Sequence, residues 1–257
     1  MGFKTLQEEA LKLTKKFGFI PKSVVWDFFC PAGKSVRYKN WNELSKSSLF
    51  SPYVTGTGVP EYLILSSQGK RILGEDIVKA VDSAYLAHDE MVMRFYLHLQ
   101  DLNFVEKAWS EGELKMDRVL ALKGLGDGVI GKLPDLLFDI KTDDGFIRCA
   151  LEIERTRKSQ GRYKTMRRSY QRARNIDLVL FGVATEKIEE ALKKEIFERG
   201  MSALGKEAGF FDLVDFSECK LDALLRIGGK ELSLRNLFQS LASSVPKDAE
   251  NLRKLSA

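Results

Sequence analysis

An Asp143-Asp144-Gly145 turn signal between two runs of alternating apolar residues constrains this chain more than any other feature. Asp-Gly suits the primed two-residue turns of β-hairpins, which need positive φ. Residues 133–142 and 146–154 are therefore expected to pair as antiparallel strands. Side chains alternate along a strand, so Asp135, Leu137 and Asp139 share one face of the first run. Ala150, Glu152 and Glu154 share one face of the second.

Register decides whether the acids meet. An Asp144-Gly145 loop sets Asp135 across from Glu154 and diagonal to Glu152, whereas an Asp143-Asp144 loop sets it across from Glu152. Either gathers the three carboxylates on one face, roughly 5–8 Å apart. A three-residue loop sets Asp135 against Ile153 and divides the cluster. Gathered like charges call for a counter-ion, and hard oxygen ligands suit Mg²⁺ or Mn²⁺. The plain alternative is a solvated acidic hairpin face.

A strongly basic segment follows. Residues 155–174 hold nine Lys/Arg and no acid. Helical spacing puts Tyr163, Met166, Tyr170 and Ala173 on an inward stripe and Lys164, Arg168 and Arg172 opposite. With Arg162, these cations suit a polyanion held beside a metal pocket; a solvated basic helix is the alternative.

Pro134-Asp135, with Glu152-Ile153-Glu154 beginning seventeen residues after that Asp, resembles the PD-(D/E)XK nuclease superfamily. The resemblance implies a restriction-endonuclease-like α/β domain with a metal site on Asp135 and Glu152. The chain departs from the pattern at the third motif position, where Glu154 replaces the usual lysine. Some restriction endonucleases of this fold also carry Glu there, and Lys158 or Lys164 could supply the missing cation. In a nuclease of this kind Glu154 is a further ligand or orients the attacking water, and Lys158 stabilises charge developing on phosphate.

The wider chain fits a soluble two-domain protein of 257 residues, 44% hydrophobic and 30% charged. No apolar run reaches bilayer length and the N-terminal stretch lacks a secretory apolar core, so a cytoplasmic location is expected. Cys30, Cys149 and Cys219 are few and scattered, as free thiols would be. Residues 1–74 carry eleven Lys/Arg against five acids. With the segment after Glu154 they form two basic islands on an otherwise acidic chain, which points to nucleic acid.

Residues 1–74 read as a winged helix-turn-helix domain. Leu6, Ala10, Leu13 and Phe17 make a helical stripe ending at Gly18. Phe19-Ile20-Pro21 leads into a second helix, 22–29, with Pro21 suited to the first turn. A third helix, 34–49, carries Lys34, Arg37, Lys39 and Lys46. Strands 50–55 and 61–65 flank a Gly-rich wing, 56–60. In that fold the third helix enters the major groove of double-stranded DNA and the wing touches backbone. A winged helix used for protein contacts is the alternative.

Residues 75–245 are expected to form the nuclease-like domain, with 246–257 a polar tail. A long helix, 75–104, would align Val81, Tyr85, His88, Val92, Phe95 and Leu99, placing His88 in an apolar stripe and Asp89 at its edge. One reading makes His88 a satisfied core residue; the other points His88 and Asp89 at the metal, a role the superfamily gives an acid on such a helix. His98 falls off the stripe and is expected to be exposed. Residues 105–115 offer a strand with Glu111, a weaker acidic candidate, near its end. The glycines of 124–131 suggest a loop at the mouth of the site and lack a phosphate-loop ending. Residues 176–184 read as a buried strand. A helix capped by Thr185 follows, then a last strand at 209–216 and amphipathic pieces at 221–225 and 232–241.

The combination of winged helix, Ala87-His88-Asp89, Pro134-Asp135, Leu151-Glu152-Ile153-Glu154 and an Arg/Lys/Tyr-rich helix is similar to MobC-type relaxases and related replication-relaxation proteins of mobile plasmids. The likeness covers about residues 5–185 and rests on short motifs. It implies metal-dependent nicking at a plasmid origin, with relaxosome proteins as possible partners. Glu154 in place of lysine keeps a second reading open, an inert DNA-binding relaxosome accessory or replication regulator.

Overall fold

The computed structural model describes residues 3–30, 33–55, 61–74, 81–126, 132–143, 145–196 and 207–243. Expectations for the wing at 56–60, most of the glycine-rich loop and the tail after 245 lie outside these residues. The chain divides into two units, Met1–Leu97 and His98–Ala257, a division that falls later than position 74. Together they make a mixed α/β protein with a large mixed sheet.

In the first unit, α1 (Phe3–Phe17) buries Leu6, Ala10, Leu13 and Phe17, the stripe its spacing dictates. Phe19–Pro21 is a short strand, β1, where the sequence suggested only a helix entry. A single helical turn, α2 (Lys22–Val24), passes into a π-helical turn over Val25–Phe29. The third helix, α3 (Lys34–Lys46), is anchored by buried Trp41 and Leu44 and stops before 49, because Ser47 turns to extended backbone. Then come β2 (Phe50–Tyr53) and β3 (Tyr62–Leu65), which pair antiparallel with β3 central in the order β1-β3-β2. A short helix, α4 (Ser67–Leu73), is capped by the Ser66 hydroxyl, which accepts from the Gly69 amide.

Of the expected long helix, positions 75–80 lie outside the described residues, and 81–85 are not helical. Asp82 accepts from the Ala84 and Tyr85 amides in a turn, and α5 runs Leu86–Gln100. Its buried residues are Leu86, Val92, Met93, Phe95 and Leu99, whereas Tyr85, expected inside, is exposed.

The second unit is built on a seven-stranded sheet among the described residues, comprising β4 (Val105–Ser110), β5 (Leu136–Thr142), β6 (Gly145–Glu154), β7 (Leu178–Val183), β8 (Glu207–Asp212), β9 (Leu224–Ile227) and β10 (Lys230–Ser233). The order is β10-β9-β8-β7-β6-β5-β4. β4, β5 and β6 form an antiparallel meander, β7 lies parallel to β6 and β8 parallel to β7. The crossover from β6 to β7 is α8 (Gln160–Arg172), and α9 (Glu186–Ile196) follows β7.

Several boundaries differ from the sequence reading, each for a capping reason. β4 stops at Ser110, whose hydroxyl and Glu113 form a reciprocal capping box that opens α6 (Glu111–Met116). Asp117 then caps α7 (Arg118–Leu125), a helix hidden by the glycine signals around it. β8 ends at Asp212, not 216, because the Asp212 carboxylate accepts from the Val214 and Asp215 amides to start α10 (Leu213–Cys219). β8 is not the last strand either. Gly228 and Gly229, at φ 56° and 76°, turn β9 into β10, the positive-φ pair that tight hairpins use. After β10 comes α11 (Leu234–Ser243).

Both sheet faces are covered. Leu137, Ala150, Phe181 and Phe210 pack with Tyr163, Met166 and Tyr170 of α8 and Ile188 and Leu192 of α9. On the opposite face Phe138 meets Phe238 of α11 edge-on at 5.8 Å and Phe211 meets Phe216 of α10 at 5.7 Å. His98, expected to be exposed, lies edge-on to Phe216 at 5.8 Å with its side chain 13% exposed.

Candidate functional site

The hairpin register settles which acids meet. Thr142 pairs with Gly145 and Leu136 with Leu151, the pairing of a 143–144 loop. Continued by one residue, it sets Asp135 across from Glu152. Leu137 and Ala150 both enter the core under α8, so by alternation Asp135, Glu152 and Glu154 face that same side. Asp135 lies at the start of β5 and the two glutamates at the end of β6. The ends of parallel strands in α/β sheets are where ligands commonly bind.

All three carboxylates are withdrawn from solvent, Asp135 at 7% exposure and both glutamates at 0%. Charges so placed require partners, and each has one. Asp135 Oδ2 accepts from the Ile153 amide at 2.7 Å, which ties the start of β5 to β6. Glu152 Oε1 accepts from the Tyr170 phenol at 2.5 Å. Glu152 Oε2 contacts the Lys132 ammonium, which also lies 3.6 Å from Asp135 Oδ1. Glu154 Oε1 pairs with Lys158 Nζ at 2.5 Å. The Lys158 amide donates to the Tyr163 hydroxyl at 3.1 Å, fixing the segment between β6 and α8.

Lys132 and Tyr170 are the residues that sequence reasoning missed. Lys132 stands three positions before Asp135, and its amide donates to Ser169 Oγ of α8 at 3.2 Å. Burial lowers its pKa from the ordinary lysine value, against the pull of Asp135. Tyr170 belongs to the predicted inward stripe, but the pattern gives no sign of its role as a hydrogen-bond donor. A buried phenol needs a partner, and that was the available signal. Burial first, then the Asp135 and Glu154 charges, push its pKa well above 10, so it stays protonated and donates to Glu152.

Asp139, on the same face, is structural. Arg148 holds it through two hydrogen bonds, 2.7 Å from Nε and 2.8 Å from the terminal nitrogen, and lies over the Trp109 and Phe146 rings. Glu111 pairs with Lys115 at 2.7 Å on α6, although its amide donates to the Asp135 carbonyl. His88 Nδ1 and Asp89 Oδ1 are 3.1 Å apart and half-buried on α5. Both belong to the first unit, whereas Asp135, Glu152 and Glu154 belong to the second.

Among the described residues no group of three or more His, Cys, Asp or Glu is arranged to hold a metal ion. Two carboxylates with open positions are nevertheless what Mg²⁺ commonly takes beside substrate phosphates. Asp135 and Glu152 supply two carboxylates, held in this structure by the Ile153 amide, the Tyr170 phenol and the Lys132 ammonium, and Glu154 Oε2 is buried without a hydrogen-bond partner among the described residues. Hard oxygen donors are the class that a divalent cation of this kind takes.

The candidate nucleic-acid surfaces are of two kinds. On α8, Arg162, Arg168 and Arg172 are exposed; Lys164 is half-buried, and Arg167 turns to Glu195 at 3.7 Å. On α3, Lys34, Lys39 and Lys46 are exposed, with Lys39 3.9 Å from Glu43. Arg37 is half-buried and its Nε donates to the Cys30 carbonyl at 3.0 Å. No helix among the described residues is long and apolar enough to cross a membrane, and the three cysteines are free. In comparison with known proteins, no family model, no curated protein and no solved structure matches the chain.

Proposed function

We propose that this protein is a metal-dependent DNA endonuclease of the PD-(D/E)XK kind, a relaxase-like nickase acting on plasmid or mobile-element DNA. One observation carries the reading: Asp135 and Glu152, from neighbouring strands, meet at one ammonium, that of Lys132. The strand order supports it. An antiparallel meander followed by a crossover helix and a parallel strand puts the Pro-Asp at the start of one strand and the Glu-Ile-Glu on its neighbour, as the resemblance requires. In the first unit three helices and a small antiparallel sheet in the order β1-β3-β2 support a winged helix presenting α3 to duplex DNA.

Asp135 and Glu152 would hold Mg²⁺ or Mn²⁺, which when bound supplies Lewis-acid polarisation of phosphate and a more acidic water. Tyr170 fixes the Glu152 carboxylate through Oε1. Lys132 and Lys158 stand where the family's third-motif lysine is absent and offer positive charge to a phosphate. Arg162, Arg168 and Arg172 hold the backbone of the nucleic acid beside the pocket.

A second reading, an inert DNA-binding accessory, has its own support. Lys132 and Lys158 already offset two of the three acid charges, so the pocket holds together without a metal. Supercoiled plasmid carrying the parent element's transfer origin, incubated with the protein, separates the two. The nuclease reading expects open circles with Mn²⁺ and none with chelator. Tight binding with no Mn²⁺-dependent nicking would favour the accessory.

A further inference from the structure

Lys132 reaches both of the acids that the nuclease reading assigns to a divalent cation. Its ammonium contacts Glu152 Oε2, lies 3.6 Å from Asp135 Oδ1, and its Nζ is buried. The side chain as a whole is 25% exposed, so the stem has a path toward solvent. Lys158 differs, because it holds Glu154 Oε1, two residues further along β6.

We propose that Lys132 is a built-in counter-ion of the candidate metal site, competing with the divalent cation for the Asp135 and Glu152 oxygens and leaving them when the cation binds. This rests on the nuclease reading and adds regulation to it. Charge balance supports the exchange. With both lysines in place the three acids keep one net negative charge. With Lys132 withdrawn and a divalent cation bound, the cluster is neutral. Burial makes near-neutrality the requirement in either state. The withdrawn ammonium remains tethered beside the pocket, because the Lys132 backbone amide donates a hydrogen bond to Ser169 Oγ. There it is free to meet a phosphate, so substrate and cation would favour the same arrangement. The pocket is thereby closed to cations in the resting protein without a separate lid.

The experiment is Mn²⁺ titration by calorimetry of the full chain and the Lys132→Met, Lys158→Met and Glu152→Gln variants. A site filled by its own lysine most of the time binds with an affinity reduced by the open fraction. Lys132→Met is therefore expected to bind Mn²⁺ about tenfold tighter or more. Lys158→Met removes the same charge without vacating the same oxygens and should gain clearly less. Glu152→Gln should lose the site. A parallel measurement on the unaltered protein guards against misfolding of the variants: reductive methylation of Lys132, read by mass spectrometry, should rise when Mn²⁺ is added. Equal gains for the two lysine variants, weaker binding by Lys132→Met, or unchanged Lys132 labelling would overturn the exchange. Mn²⁺ bound in a Glu152-dependent way would still leave the nuclease reading standing in those cases. Absence of any Glu152-dependent binding in every protein would remove the metal reading and the exchange together.

Discussion

The Tyr170 phenol, on α8, donates to Glu152 Oε1 on β6 across eighteen residues of chain at 2.5 Å, inside the core. The same helix that lays arginines on the surface thus fixes the central acid of the pocket. Tyr170→Phe keeps the shape and removes only the donor. Hydrogen bonds to charged groups contribute about 1.5–3 kcal/mol, so urea unfolding should show a loss in that range. A loss within error of zero would mean that the bond does not hold Glu152.

Arg168 and Arg172 are exposed on the face of α8 away from the core. If they meet phosphates, replacing both by Ala should weaken binding to all duplex sequences alike. It should also flatten the log–log salt dependence by about 0.9 for each phosphate no longer neutralised. Fluorescence anisotropy at several salt concentrations checks this. An unchanged slope would take α8 out of the DNA interface.

Gly182 of β7 pairs with Ile153, between the two glutamates. A Cβ there would lie 2.7 Å from both Leu213 Cδ2 and Phe211 Cζ and 2.9 Å from Ile153 Cδ1. All three neighbours are buried. Gly182→Ala should therefore cost about 1–3 kcal/mol through overpacking, seen as a lower midpoint in urea. A neutral result would show that this face has slack.

Glu189 of α9 links to Arg226 of β9 through two hydrogen bonds and to Lys193 at 2.6 Å. Burial alone would raise its pKa, but the bonds and charges of Arg226 and Lys193 win and lower it below 4.5. A depressed carboxylate contributes stability that is present above its unfolded value and lost as pH falls through the folded one. Glu189→Gln should therefore be less stable than the unaltered protein at pH 7, with the gap closing below pH 4.5. A gap that widens on acidification would contradict the assignment.

Local cues carried much of this structure. The Asp-Gly signal placed the β5–β6 hairpin, and strand alternation put Asp135, Glu152 and Glu154 on one face, with the final register among the alternatives. The helical period of Tyr163, Met166, Tyr170 and Ala173 named the buried stripe of α8. Lys132 could not be placed this way, because the reach of a long side chain after an irregular segment has no period. α6 and α7 escaped because Ser110 and Asp117 act as caps inside a stretch dominated by strand and glycine signals. The β9–β10 hairpin did carry a cue, Gly228-Gly229, but its strands have only four residues each. Such short strands give alternation little room to show. The end of β8 was overrun because apolar residues continue past the Asp212 cap into α10.

We propose Asp135 and Glu152 as the working centre of a metal-dependent DNA nickase. Glu152→Gln tests it most directly, since the amide keeps the shape but withdraws the charge a hard cation requires. Nicking of supercoiled plasmid in Mn²⁺ should fall about a hundredfold, the loss expected for a key electrostatic group, while duplex binding without metal holds or tightens slightly. Equal and robust nicking by the variant and the unaltered protein would contradict the account.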